Sequence, residues 1–145
     1  MSKQPENHII TTSQAPIPVG TYPHARRAGN LLFLSGIGPR DAATGTDIPG
    51  LTLDKNGNFI SFDFEAQCHS VFKNVKAVLE ASGARWENLI DVTVFLVNMQ
   101  RDFTTFNRIY AQYFASNQPC RTTVEVNCLP TPIAIELKCI AYLDN

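Results

Sequence analysis

Pro119-Cys120-Arg121-Thr122-Thr123-Val124-Glu125-Val126-Asn127-Cys128-Leu129-Pro130, followed by Ile133-Ala134-Ile135-Glu136-Leu137-Lys138-Cys139-Ile140-Ala141-Tyr142, carries the reading of the fold. β-branched residues fill both arms while Pro130 and Pro132 confine the break to the middle, so the stretch reads as an antiparallel hairpin. Side chains along a strand alternate, which puts Arg121, Thr123 and Glu125 on one face and Glu136 with Lys138 on a face of the second arm. A fold about Cys128 and Leu129 sets Arg121 opposite Glu136. A guanidinium beside a carboxylate among strands this apolar is either a structural ion pair or an anion-binding site with an acid/base group next to it.

Working outward, a helix is predicted over residues 102–115, with Phe103, Phe106, Tyr110, Tyr113 and Phe114 on one side. Asn107 falls at the margin of that stripe, as a solvated residue or a ligand contact. Residues 89–97 predict a strand apolar on both faces, as in the middle of a covered sheet. Before it, residues 63–82 predict a helix in which Phe64, Cys68, Val71, Phe72, Val75, Val78 and Leu79 form one buried stripe and Gly83 supplies the stop. The stripe reads as core, not as a cofactor box.

Nearer the start, residues 8–12 read as a short strand, and Ala15-Pro16-Ile17-Pro18-Val19-Gly20-Thr21-Tyr22-Pro23 as a stiff extended segment. That segment fixes Tyr22 in place, as a binding group or as cover for the edge of the core. Residues 25–29 and 31–35 predict a hairpin turning at Gly29-Asn30. In Ser35-Gly36-Ile37-Gly38-Pro39 the glycines let the backbone approach a ligand or another chain, but neither a Gly-Lys-Ser/Thr nor a full dinucleotide fingerprint is present. Residues 40–61 form a long polar connection in which Lys55-Asn56-Gly57-Asn58 signals a turn with a small hairpin; connections of this length usually serve as a lid or an interface loop. The order strands, helix, strand, helix, strands gives an α+β class: a single mixed sheet with two helices packed on one face, and residues 1–145 as one domain.

Composition bounds the function. A chain of 145 residues, 44% hydrophobic and 17% charged, can bury a core without staples. Lys+Arg 12 against Asp+Glu 13 builds no field for nucleic acid or an anionic membrane surface, so neither is expected as a partner. Residues 1–13 lack the apolar core of a signal peptide and no stretch approaches about 20 apolar residues, which predicts a cytoplasmic protein. Cys68, Cys120, Cys128 and Cys139 contain no Cys-x-x-Cys pair and read as small core residues. His8, His24 and His69 lie far apart, so no metal is expected.

With these residues in place the chain resembles the Rid (YjgF-like) family of enamine/imine deaminases. Ala15 to Tyr22 is similar to the family's opening segment, Leu34-Ser35-Gly36 to its glycine-bearing strand, and Asp102-Phe103 through Asn107 and Tyr110 to its second helix. The most specific block is Arg121-x-Thr123-Val124-Glu125-Val126-x-x-Leu129-Pro130 with Ile135-Glu136. The resemblance implies a chorismate-mutase-like fold and a homotrimer, alone or as a dimer of trimers, with a site in each cleft between subunits. It implies that Arg121 grips the substrate carboxylate, that Glu136 positions the attacking water, and that Tyr22, Ser35, Gly36, Asn107 and the backbone at Thr123 line the pocket. No cofactor is implied; the partner is a small enamine or imine carboxylate.

The chain departs from the common family pattern in a longer connection over residues 39–61, in Thr123 where a Cys is usual, and in a shorter link before Arg121. These features look like the branch acting on 2-aminomuconate. A general 2-imino acid deaminase and a non-catalytic, chaperone-like trimer binding small carboxylates are the other readings; a mutase activity suggested by fold alone is weak, since fold does not carry function. A substrate with a carboxylate at each end needs a second anchor, for which His24, Arg26, Arg27, Arg40 and Lys55 are the candidates.

Overall fold

The computed structural model describes residues 8–144; the remainder of the single-domain expectation, residues 1–7 and 145, lies outside the described residues. Strands β1 (His8–Ile10), β2 (Ala25–Ala28) and β3 (Leu31–Leu34) come first, then a hairpin of β4 (Leu51–Leu53) and β5 (Phe59–Phe62). Helix α1 (Phe64–Ala81), strand β6 (Leu89–Leu96), helix α2 (Met99–Tyr113) and strands β7 (Cys120–Glu125) and β8 (Ile135–Tyr142) complete the order. The expected turn at Gly29-Asn30 is present, with Ala28 paired to Leu31 and Gly29 at φ 62°. The small hairpin within residues 40–61 is present too, β4 pairing antiparallel with β5.

The six-stranded sheet runs β1-β2-β3-β8-β6-β7. This corrects the expected hairpin of residues 119–142. β7 pairs parallel with β6, from Asp91 with Cys120 to Leu96 with Glu125, while β8 pairs antiparallel with the other edge of β6 and with β3. The cause is α2: a helix between two strands returns the chain parallel to the first. Residues 126–134, with Pro130 and Pro132, then cross the end of β6 instead of turning tightly. The proposed opposition of Arg121 and Glu136 falls with the hairpin, since Arg121 lies level with Val92 and Glu136 with Phe95.

Asp63 caps α1, its carboxylate accepting the Ala66 N–H at 3.2 Å, and the predicted stripe is buried from Phe64 to Leu79. α2 begins three residues earlier than its apolar pattern suggests, because Asn98 accepts the Arg101 N–H at 3.0 Å and the Glu125 carboxylate accepts the Met99 N–H at 2.8 Å. Both helices cover the sheet face formed by Leu32, Leu34, Val92, Val94, Leu96, Ile135, Leu137 and Cys139. A cluster of Phe72, Trp86, Phe106, Tyr110, Tyr113 and Phe114 fills the gap between them. The opposite face, with Leu31, Phe33, Phe95, Val124, Ile140 and Tyr142, has no layer over it among the described residues, in keeping with the expected packing of both helices on one face. Cys68 and Cys139 are core residues as expected, whereas Cys120 and Cys128 are exposed at the β7 edge and on the following loop.

Candidate active site

The residues singled out above gather in two places. The first lies where β3 runs out. Ser35 donates its N–H to the His24 carbonyl at 3.0 Å and its hydroxyl to the Pro23 carbonyl at 2.7 Å, tying the proline-rich segment to the sheet. Tyr22 is exposed yet fixed: its hydroxyl accepts the Val19 N–H at 3.2 Å, and its ring lies over Gly20. Ile37 exchanges backbone hydrogen bonds of 2.8 and 2.9 Å with Leu137, which brings Gly36 against Glu136. A Cβ on Gly36 would stand 2.8 Å from the Glu136 carboxylate, so a side chain there would displace the carboxylate from its present place. The Glu136 side chain has no hydrogen-bond or ionic partner among the described residues, and burial pushes its carboxyl above the usual carboxylate range. Tyr22, Ser35 and Gly36 line one cavity with Pro16, His24 and Arg40.

The second gathering lies between β7 and α2. The Arg121 guanidinium carbon sits 4.8 Å from the centre of the Tyr110 ring, 5.3 Å from Phe106 and 5.9 Å from Phe103. Ring faces hold this cation while its donor fork stays unspent, with no carboxylate partner among the described residues. Asn107, exposed, stands one turn from both Phe103 and Tyr110. Thr123 follows Arg121 on the same side of β7, its Oγ1 buried without a hydrogen-bond partner. The Tyr110 hydroxyl is also buried and unpaired; burial pushes it up to about 12 against the opposing pull of the Arg121 charge.

Within one chain these gatherings are separate. Arg121 shares the helix-covered face through its level partner Val92, whereas Glu136 shares the open face through Phe95. β6 lies between them, a lateral separation of about 10 Å. Of the two readings the sequence left open, the structural ion pair is therefore absent, and neither member has an ionic partner among the described residues.

Of the candidate second anchors, most are committed or remote. His24 is buried, accepting the Thr12 N–H at Nδ1 (3.2 Å) and reaching the Pro16 carbonyl from Nε2 at 2.8 Å, which assigns it the neutral Nε2–H tautomer. Arg27 donates to the Gly29 carbonyl beside Gly83 and Arg85, Arg26 is exposed on β2, and Lys55 is at the tip of the β4–β5 hairpin. His24 and Arg40 both line the Tyr22–Ser35–Gly36 cavity, and with both His24 ring nitrogens committed to the backbone, Arg40 is the charged candidate there.

Sequence reasoning passed over a polar row on α1. Gln67 accepts the Ala134 N–H at 2.7 Å, Ser70 donates to the Pro39 carbonyl at 2.7 Å, and Asn74 donates to the Gly38 and Arg40 carbonyls at 2.9 and 2.7 Å. The signal was available: 67, 70 and 74 share a helical face beside the apolar stripe. The buried Asp102, held by both Nε and Nη2 of Arg101 at 2.6 Å, was also missed, as it sits inside an aromatic pattern.

The Endoribonuclease L-PSP family profile matches residues 12–143. The chain belongs to the Rid/YjgF (L-PSP) family. Among Rid relatives, a RutC family protein of Pyrococcus horikoshii is 40% identical over 136 residues, spanning 94% of this chain and 98% of the relative. Reactive Intermediate Deaminase A, chloroplastic, of Arabidopsis thaliana is 37% identical over 138 residues, spanning 95% of this chain and 67% of that one. RidA from the Antarctic bacterium Psychrobacter sp. PAMC 21119 superposes with a TM-score of 0.81 at 29% identity, over 94% of this chain and 99% of that one. Rid neighbours thus share the α+β sheet with its two helices. No helix among the described residues is long and apolar enough to cross a membrane.

Proposed function

We propose that this protein is a hydrolytic deaminase of enamine/imine carboxylates, working without a cofactor at a site formed between subunits of a homotrimer. The observation that carries the reading is that Arg121 and Glu136, the cation and the base such chemistry needs, both lack an ionic or hydrogen-bond partner among the described residues. Buried or half-buried charges are normally paired, so each awaits something the isolated chain does not supply. Two further features support assembly: the second sheet face is apolar and uncovered, and the two gatherings of site residues lie on opposite faces. A neighbouring subunit that covers the open face can bring its own Arg121, Asn107 and Thr123 to Glu136, Gly36, Ser35 and Tyr22. A general enamine/imine deaminase role is also what family membership, with a reactive intermediate deaminase among the relatives, supports. The family profile's description names a ribonuclease, but a net charge of -1 offers RNA no electrostatic footprint.

The chemistry needs few groups. An enamine tautomerises to its imine, and the Arg121 fork binds the adjacent carboxylate bidentately, fixing the C=N carbon. Water adds to that carbon while Glu136 takes its proton and the π electrons move to nitrogen. Glu136 returns that proton to the nitrogen to give the carbinolamine, then takes the hydroxyl proton and passes it to the amine as the C=O bond forms and the C–N bond breaks, so that ammonia leaves a 2-oxo acid. Positioned proton transfer of this type contributes about 10²- to 10⁴-fold. Within this reading 2-aminomuconate is the substrate we favour, on the long connection of residues 39–61 and its hairpin.

Ammonia release from 2-aminomuconate and from 2-iminopropionate, each generated in situ, tests the proposal. Acceleration over the buffer rate is expected with both. Binding of carboxylates without acceleration would leave the non-catalytic reading standing.

A further inference from the structure

We infer that Arg40 anchors a second anionic group at the distal end of the substrate, so that the site selects dicarboxylates over monocarboxylates; the inference rests on the deaminase reading. Arg40 sits in the wall of the cavity that Tyr22, Ser35 and Gly36 line, and the same residue also walls the open groove beneath β4, formed with Ile48, Leu51 and Leu53. Arg40 therefore stands between the small cavity beside Tyr22, Ser35 and Gly36, next to which Glu136 lies, and the groove shaped by the long connection.

Its position is set in advance. Asn74 on α1 holds the Arg40 carbonyl at 2.7 Å, Nη1 donates to the Gly45 carbonyl at 2.6 Å, and Nη2 donates to the Ile17 carbonyl at 2.5 Å. No carboxylate among the described residues forms an ion pair with it: the adjacent Asp41 turns its own carboxylate to the Ala43 N–H at 2.7 Å, and Asp47, which lines the same groove, makes no ion pair with Arg40. A guanidinium has more N–H donors than two carbonyls use, so donors remain for a ligand. Two neutral carbonyls orient the group without cancelling its charge. That is the arrangement of an anion receptor, since a cation needed only to brace a loop gains more from a carboxylate.

A six-carbon substrate held by Arg121 at the reacting end brings its far carboxylate toward this cation. A monocarboxylic imine has nothing to place there, and the guanidinium stays hydrated. Arg40 is thus a specificity-determining residue, outside the bond-making steps.

The experiment compares wild type, Arg40→Gln and Arg40→Lys with a dienamine dicarboxylate and with 2-iminopropionate, alongside competitive inhibition by muconate and by 2,4-hexadienoate, which lacks the second carboxylate. Arg40→Gln is expected to lower kcat/KM for the dicarboxylate, through KM, about tenfold or more beyond its effect on the monocarboxylate, with Arg40→Lys between the two. Muconate should inhibit wild type more tightly than hexadienoate, and Arg40→Gln should abolish that difference. Equal losses on both substrates, or muconate discrimination that survives in Arg40→Gln, would overturn the inference and leave Arg40 as a loop brace. If wild type accelerates neither substrate yet distinguishes the two inhibitors through Arg40, the deaminase reading fails and the anchor stands.

Discussion

At Arg121 the identity of the cation matters more than its charge. Three rings face the guanidinium, and a lysine ammonium there keeps the charge but loses the planar fork and the stacking. Arg121→Lys should lower kcat/KM by well over about tenfold while the molar mass by light scattering is unchanged. At Glu136 the expected signature is in pH. Burial raises this carboxyl, so the ionised base is depleted as pH falls through a value above the ordinary carboxylate range. If Arg121 holds the substrate carboxylate as proposed, its charge is answered in the complex, and the raised value should persist as the acid limb of the kcat profile. Glu136→Gln should lose ammonia release and that limb together; parent-rate turnover in this variant would assign water activation to another group. Both residues could be singled out in the sequence as charges in apolar strands, beside Glu125 and Lys138, while the roles expected of them came from the family resemblance. Their spatial relation could not be read, since alternation within a strand fixes a side but says nothing about which strands are neighbours.

At the scale of elements, the helices, the Gly29-Asn30 hairpin and the turn near Gly57 could be read from periodicity and turn chemistry alone. The sheet order could not be read in the same way, because two adjacent apolar strands with a proline-bearing gap look like a hairpin. The helix before β7 was the stronger clue, since a strand-helix-strand unit closes in parallel. α1 shows a second limit: its apolar stripe announces a core helix, and hides that Gln67, Ser70 and Asn74 clamp the segments carrying Gly38, Pro39, Arg40 and Ala134. Removing one clamp has a definite cost. Asn74→Ala leaves the Gly38 and Arg40 carbonyls without their donor, and should destabilise by about 1–3 kcal/mol in denaturant titrations at matched protomer concentration. The same variant should raise KM, because the loop that carries Arg40 is no longer held. A stability loss with unchanged KM would show that the 38–40 segment keeps its place without α1.

At the scale of the whole molecule, the separation of Arg121 from Glu136 makes the subunit arrangement testable by mixing. If each site takes Arg121 from one protomer and Glu136 from the next, a trimer containing both Arg121→Ala and Glu136→Gln chains has one site with both groups intact. Random reassembly of equal amounts of two inactive variants should then restore about a quarter of wild-type activity per chain. No recovery, with mixed trimers verified by mass spectrometry, would place both residues of a working site in one chain. Light scattering of the unmixed protein should give a mass near three chains of 16.1 kDa.

β8 occupies the interior of the six-stranded sheet, between β3 and β6, yet it is translated after every other strand in that sheet. On the ribosome the nascent chain therefore carries two incomplete sheet fragments, β1-β2-β3 and β6-β7, each with an unpaired edge waiting for the same missing strand. Such edges recruit foreign strands readily. The ladder that joins Leu31 to Tyr142 spans most of the polypeptide, so closure depends on a slow, long-range search that begins only once this segment has emerged from the exit tunnel. A premature stop codon shortly before residue 135 would take away the spine of the sheet and not its margin, leaving two half-sheets with nothing to unite them.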